Sequence, residues 1–133
     1  MPAFLKKSQN NVTTAELLIN KGLPATSAHP AYYSVFLLMK YLLAHFGPIS
    51  YSDQEVLTNG KDSHGVLSKE ALKFLSANDV ITRNDYFVWY NKLKKMRKRA
   101  DYTPGVIEEW ELKDNLDIAK KFIKSADSHF KIQ

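Results

Sequence analysis

A chain of 133 residues, 44% hydrophobic and 25% charged, is long enough for one domain with one core and has an ordinary globular composition. It has no cysteine, which excludes disulfides, cysteine metal sites and cysteine nucleophiles, and its first residues lack the apolar run of a signal peptide. The net charge of +5 and the pI of about 9.3 suit an acidic partner such as nucleic acid, although a solvated basic surface gives the same totals.

Residues 1–11 read as a loosely ordered tail of a single domain covering 1–133. Val12 to Lys21 reads as a first helix, with Thr13 or Thr14 as cap and Gly22 as its stop. Leu23 to Ala28 is a short loop, which favours an antiparallel hairpin with the next helix.

The chain is organised around Pro30 to Phe46, PAYYSVFLLMKYLLAHF. At about 100° per residue, Tyr32, Val35, Phe36, Met39, Leu42, Leu43 and Phe46 share one broad face. Leu37, Leu38 and Tyr41 cover much of the other. A helix apolar on most sides belongs inside a bundle, and with Lys40 and His45 within it this one is short for a membrane span. Ser27 is its expected cap, Pro30 sits in its first turn, and Gly47-Pro48 stops it.

Ser52-Asp53-Gln54-Glu55 has a capping-box pattern that opens one or two turns ending near Thr58, and Asn59-Gly60 signals a turn. A helix is expected over about 63–77, then a polar break over 78–85. The next helix, capped by Asp85, runs to about Tyr102 with Tyr86, Tyr90, Leu93 and Ala100 on one face. Pro104-Gly105 ends it, and Ile107 and Trp110 are expected to anchor the connection by burial. The last helix, about 111–130, has apolar residues at Leu112, Leu116, Ala119, Ile123, Ala126 and Phe130, spaced four, three, four, three, four. No stretch alternates as a strand does. The expected fold is all-α: a single up-and-down helical bundle of four main helices plus short extra helical turns. A cytoplasmic protein with no membrane segment is expected.

The segment Lys92 to Arg99, KLKKMRKR, has six cations in eight positions. Five of them fall away from the apolar stripe and make a wet face. Arg97 lies about 20° from Tyr86 on the wheel, near the centre of that stripe. A buried unpaired guanidinium costs several kcal/mol, so it needs a partner or a water-filled site. Asp101, at i+4, is an available partner. Two readings are open here: an internal ion pair that fixes packing, or a cleft arginine that receives phosphate.

His64 begins a helix beside Gly65, while His29, His45 and His129 are scattered surface, loop or bundle-edge residues without metal-ligand spacing. Tyr32 and Tyr33 are core or rim residues whose hydroxyls reach a partner, and Tyr102, at a helix end, is freer. No phosphate loop, dinucleotide fingerprint or nucleophile elbow is present, and no cofactor or metal is expected.

The succession AELLINKG, HPAYYSVFLLMKYLL, SHGVLSKEALKFL and LKKMRKRADY resembles the HEPN superfamily, in particular its small stand-alone prokaryotic members, over about Ala15 to Phe130. The resemblance implies a helical bundle, commonly a homodimer, associated with RNA or nucleotides and often paired with a nucleotidyltransferase in toxin–antitoxin or similar systems. Ribonuclease members carry an arginine followed, after four to six residues, by a histidine. This chain departs from that pattern: with four residues between them, Arg97 is followed by Tyr102, a poor general acid or base at pH 7. The ligand-binding candidates are therefore Arg97, Asp101, Tyr102, Arg99 and His64, with no catalytic residue assigned. The expected function is a HEPN-like homodimer that binds RNA or nucleotide with a degenerate ribonuclease motif. The alternatives are an active metal-independent ribonuclease toxin and a protein-docking subunit with no ligand of its own.

Overall fold

A computed structural model of the chain describes residues 2–78 and 80–132, with the side chains at 78 and 80–84 outside that description. Among the described residues there are six α-helices and no strand. They are α1 (Ala3–Asn20), α2 (Ala28–His45), α3 (Tyr51–Thr58), α4 (Ser63–Asn78), α5 (Val80–Tyr102) and α6 (Glu109–Phe130), with a 3-10 turn at Pro24–Ser27 before α2.

The centre of the bundle is α2. Thirteen of its eighteen residues are buried, on every side of the helix. It packs against α1, α4, α5 and α6, so its broad apolar surface is divided among four neighbours. Tyr32, Leu38, Met39, Leu42 and Leu43 are each almost wholly removed from water, worth roughly 1.5–3 kcal/mol for a fully buried aliphatic side chain. From α6 come Leu112, Leu116, Ala119 and Ala126, as the spacing predicts, joined by Phe122, which is fully buried. Tyr86, Tyr90 and Leu93 supply the face of α5.

Several expectations need correction. The first helix starts at Ala3, not Val12, so residues 3–11 are helical rather than a loose tail. Its buried stripe is Leu5, Ser8, Ala15 and Ile19. Ser8 hides the pattern in the sequence, since a serine stands where an apolar residue marks a core position. Its hydroxyl donates to the Ser34 carbonyl of α2 at 2.6 Å, which satisfies it in the core. Thr13 and Thr14 are not caps: they lie inside α1 and donate to the carbonyls of Gln9 and Asn10 one turn back. The Ser27 hydroxyl donates to the Pro24 carbonyl instead of capping α2.

The cap of α3 is Ser50, whose oxygen accepts from the Asp53 N–H at 3.2 Å, two residues before the expected Ser52. The backbone of α5 begins at Val80 and runs through Asn84-Asp85, so the expected break shrinks; Asp79 lies outside the described residues. Five helices of 16 residues or more, not four, form the frame. Trp110 is exposed rather than an anchor. At the start of α6, Glu108 and Glu111 form a capping box. Gly22 and Gly60 do close α1 and the turn after α3, each with the positive φ that favours glycine.

No helix among the described residues is long and apolar enough to cross a membrane. No group of three or more metal-ligating side chains gathers among them.

Candidate nucleic-acid site

The packing of α2, α4 and α5 brings together residues from three distant stretches of chain. The first half of α2 supplies His29, Tyr32, Tyr33 and Phe36, which recur at helical spacing and face the same way. The first turn of α4 supplies His64. From its middle onward α5 supplies Tyr90, Arg97 and Asp101, again spaced by seven and four.

Tyr32 is the hinge of this cluster. Its ring is buried, and its hydroxyl lies 3.0 Å from His64 Nδ1 and 3.1 Å from the Tyr90 hydroxyl. A phenol offers one proton and can also accept, so the hydroxyl satisfies both neighbours at once. Burial, then the bond to Tyr90, pushes the Tyr32 hydroxyl far above the usual phenol range, which keeps it protonated. His64 stacks on Phe36 with ring centroids 4.1 Å apart. Burial, then the nearby Arg97 cation, holds its imidazole below the ordinary histidine value, while Asp62 pulls the other way.

Arg97 lies over the same tyrosine. Its guanidinium carbon is 5.2 Å from the centre of the Tyr32 ring, a cation–π contact. Its Nε donates to His29 Nδ1 at 3.3 Å and stands 3.6 Å from the Asp101 carboxylate. The side chain is 22% exposed, so Arg97 is neither sealed in the core nor free in solvent. It sits on the lip of the bundle. Among the described residues only Nε makes a side-chain hydrogen bond; the two terminal amino groups make none.

His29 is the residue that sequence reasoning missed. It stacks on Tyr33, with centroids 5.2 Å apart, and it also lies 3.9 Å from Asp101. When neutral, its Nδ1 accepts from Arg97, which leaves the proton on Nε2. When protonated, Nδ1 can only donate, and Asp101 is the acceptor in reach. The sequence shows only that His29 shares a face of α2 with Tyr32 and Tyr33, one helical turn on; its contact with α5 has no local signal.

Of the candidates, Arg97 and Asp101 meet directly, and His64 joins them through Tyr32. Tyr102 is exposed at the end of α5 and makes no bond to Arg97. Arg99 is used elsewhere. Its Nη1 donates to Glu111 Oε1 at 2.7 Å and its Nη2 to Oε2 at 3.4 Å, tying α5 to the start of α6. That fork, helped by the Glu108 N–H, holds the Glu111 carboxyl below the usual range.

The profile of the HEPN domain matches residues 1–129, nearly the whole chain. The chain belongs to the HEPN domain family. No curated protein and no solved structure matches it. In this HEPN chain the arginine of the candidate motif is paired with a histidine from α2, while the position five residues further on is a solvent-facing tyrosine.

Proposed function

We propose that this HEPN domain binds RNA or a nucleotide through a phosphate held by Arg97. The observation that carries the reading is the pair of guanidinium amino groups, free of side-chain hydrogen bonds among the described residues, on a half-buried, oriented arginine. Such a fork matches two phosphate oxygens, and partial burial strengthens the attraction. Lys94 and Lys98 lie about 60° and 100° round α5 from Arg97, so they extend the positive strip beside it. HEPN domains are typically RNA-binding or ribonuclease modules, which supports the class of ligand. An up-and-down homodimer in the cytoplasm, acting alone or beside a nucleotidyltransferase, belongs to this reading.

The test is binding of a labelled single-stranded RNA to the wild type and to Arg97→Ala over a range of salt. The expected result is a clear loss of affinity in the variant, with an unchanged helical spectrum. Equal affinity at every salt concentration would remove Arg97 from the site.

One observation favours a second reading, metal-independent RNA cleavage. The His29 imidazole beside Arg97 supplies the proton carrier that Tyr102 cannot be. As the ribose 2′-oxygen forms its bond to phosphorus and gives its proton to water, the bond from phosphorus to the 5′-oxygen breaks. The acid is the protonated form of His29, with its Nδ1–H toward Asp101: it gives its Nε2 proton to that leaving oxygen and is left neutral, while Arg97 steadies the charge on the phosphoryl oxygens. RNA incubated in a chelator should yield 2′,3′-cyclic phosphate ends with the wild type and none with His29→Gln. Intact RNA with the wild type leaves binding alone.

A further inference from the structure

A separate groove runs between α5 and α6, on another side of α5. Successive residues of a helix point about 100° apart, so Met96 opens on this groove while Arg97 faces His29. Met96 and Ile118 form its apolar walls, and the exposed Lys92 and Lys95 stand at its edge. The Arg99–Glu111 pair closes part of it. The cavity holds about 270 Å³, near the lower end of the roughly 300–1,000 Å³ found for small-molecule sites.

Asn115 lines this groove and is 3% exposed, yet its Nδ2 has no acceptor among the described residues. Buried amide donors without a partner are uncommon in folded proteins, because desolvating them is costly. The groove therefore lies over a buried hydrogen-bond donor that no other described residue uses, and a ligand settling into it reaches that donor only by parting the atoms that cover it. A ligand for it must bring an acceptor, an apolar flat surface to lie between a thioether and an isoleucine, and a negative group for the lysines. Arg99 and Glu111 cancel each other, and Asp114 offsets one of the two lysines. The remaining excess of one positive charge suits a single phosphate better than a triphosphate.

We propose that this groove binds one nucleoside monophosphate unit, base inward on Asn115 and phosphate outward on Lys92 and Lys95. The class of ligand rests on the RNA or nucleotide reading; the location does not involve Arg97. The unit comes either from a free nucleotide or from one residue of an RNA strand.

The test is an NMR titration of the full chain, following the Asn115 side-chain amide and the Met96 methyl group. The probes are uridine and guanosine 5′-monophosphates, ribose 5-phosphate and a short oligoribonucleotide. Shifts of both signals with a mononucleotide support the site and a free ligand. Shifts with the oligonucleotide alone support it as a subsite for an RNA strand. Asn115→Leu, which fills the space without the donor, and Lys95→Glu at the surface should each weaken binding about tenfold. Arg97→Ala should leave the mononucleotide shifts in place, so that failure of the Arg97 site and of this one are read apart. The proposal falls if ribose 5-phosphate gives the same shifts, if only lysine signals move, or if both groove variants bind like the wild type.

Discussion

Arg97 Nε donates to His29 Nδ1 at 3.3 Å although 68 residues separate them in the chain. The bond joins the last turns of α5 to the first turn of α2 and fixes which way the guanidinium fork opens. Asp101 alone, a partly exposed partner one turn along the same helix, would hold the charge but not its direction.

Replacing Arg97 by lysine keeps the charge and discards the planar fork. Arg97→Lys should keep the salt-dependent attraction for RNA but bind more weakly than the wild type, with Arg97→Ala weaker still. Neither change should unfold the domain. The ion pair on the lip of the bundle and the cation–π contact with Tyr32 together contribute only about 1–2 kcal/mol. Anisotropy titrations at several salt concentrations, with thermal melts alongside, check both parts.

Tyr32→Phe removes a single oxygen and leaves two partners behind. The Tyr90 hydroxyl and His64 Nδ1 each lose the neighbour at about 3 Å that satisfies them. The expected cost is about 1–3 kcal/mol, larger than a net hydrogen bond because the Tyr90 hydroxyl is left buried. Urea unfolding measures it. A change below about 0.5 kcal/mol would mean that water or the two partners themselves replace the phenol.

The helical class was legible because the apolar residues of α2 and α6 recur at helical spacing with little interruption. The beginning of α1 was not, because Ser8 occupies a core position that only its bond across to α2 makes tolerable. Arg97 stood out because a charge on an apolar stripe demands an explanation. Its partner did not. His29 gives no local sign of being near α5, and the contact exists only once α2 and α5 pack side by side. Tyr102 followed from counting along one helix, whereas the imidazole that meets Arg97 comes from another.

Stability should depend on His64 below neutral pH. Burial, then Arg97, holds its folded value under the ordinary 6.5, so the unfolded chain takes up the proton more readily. Stability is therefore fully present above about pH 6.5 and declines as pH falls from there toward the folded value. Urea unfolding at pH 7.5 and 5.5 should show this loss in the wild type and a smaller one in His64→Phe. Other titrating groups are common to both proteins and cancel in the difference. An equal or steeper decline in the variant would rule out the assignment to His64.

Two glycines, one just after α2 and one at the start of α4, should respond differently to alanine. At Gly47 a methyl carbon would meet the Leu43 carbonyl oxygen at 3.0 Å and its Cα at 3.1 Å, both backbone atoms that cannot swing away. Gly47→Ala should cost about 1–3 kcal/mol, as overpacking does. At Gly65 the methyl would come within 2.6 Å of Asp62 Oδ2, the far end of a side chain that can turn aside. Helix formation by alanine offsets that displacement by up to about 1 kcal/mol, so the domain should keep its stability. The displacement has an electrostatic consequence. Asp62 opposes the depression of the His64 imidazole, and moving its carboxylate away should lower the His64 titration point further. NMR titration of the ring protons in Gly65→Ala checks this: a downward shift is expected, and an unchanged or raised value would place the Asp62 charge elsewhere.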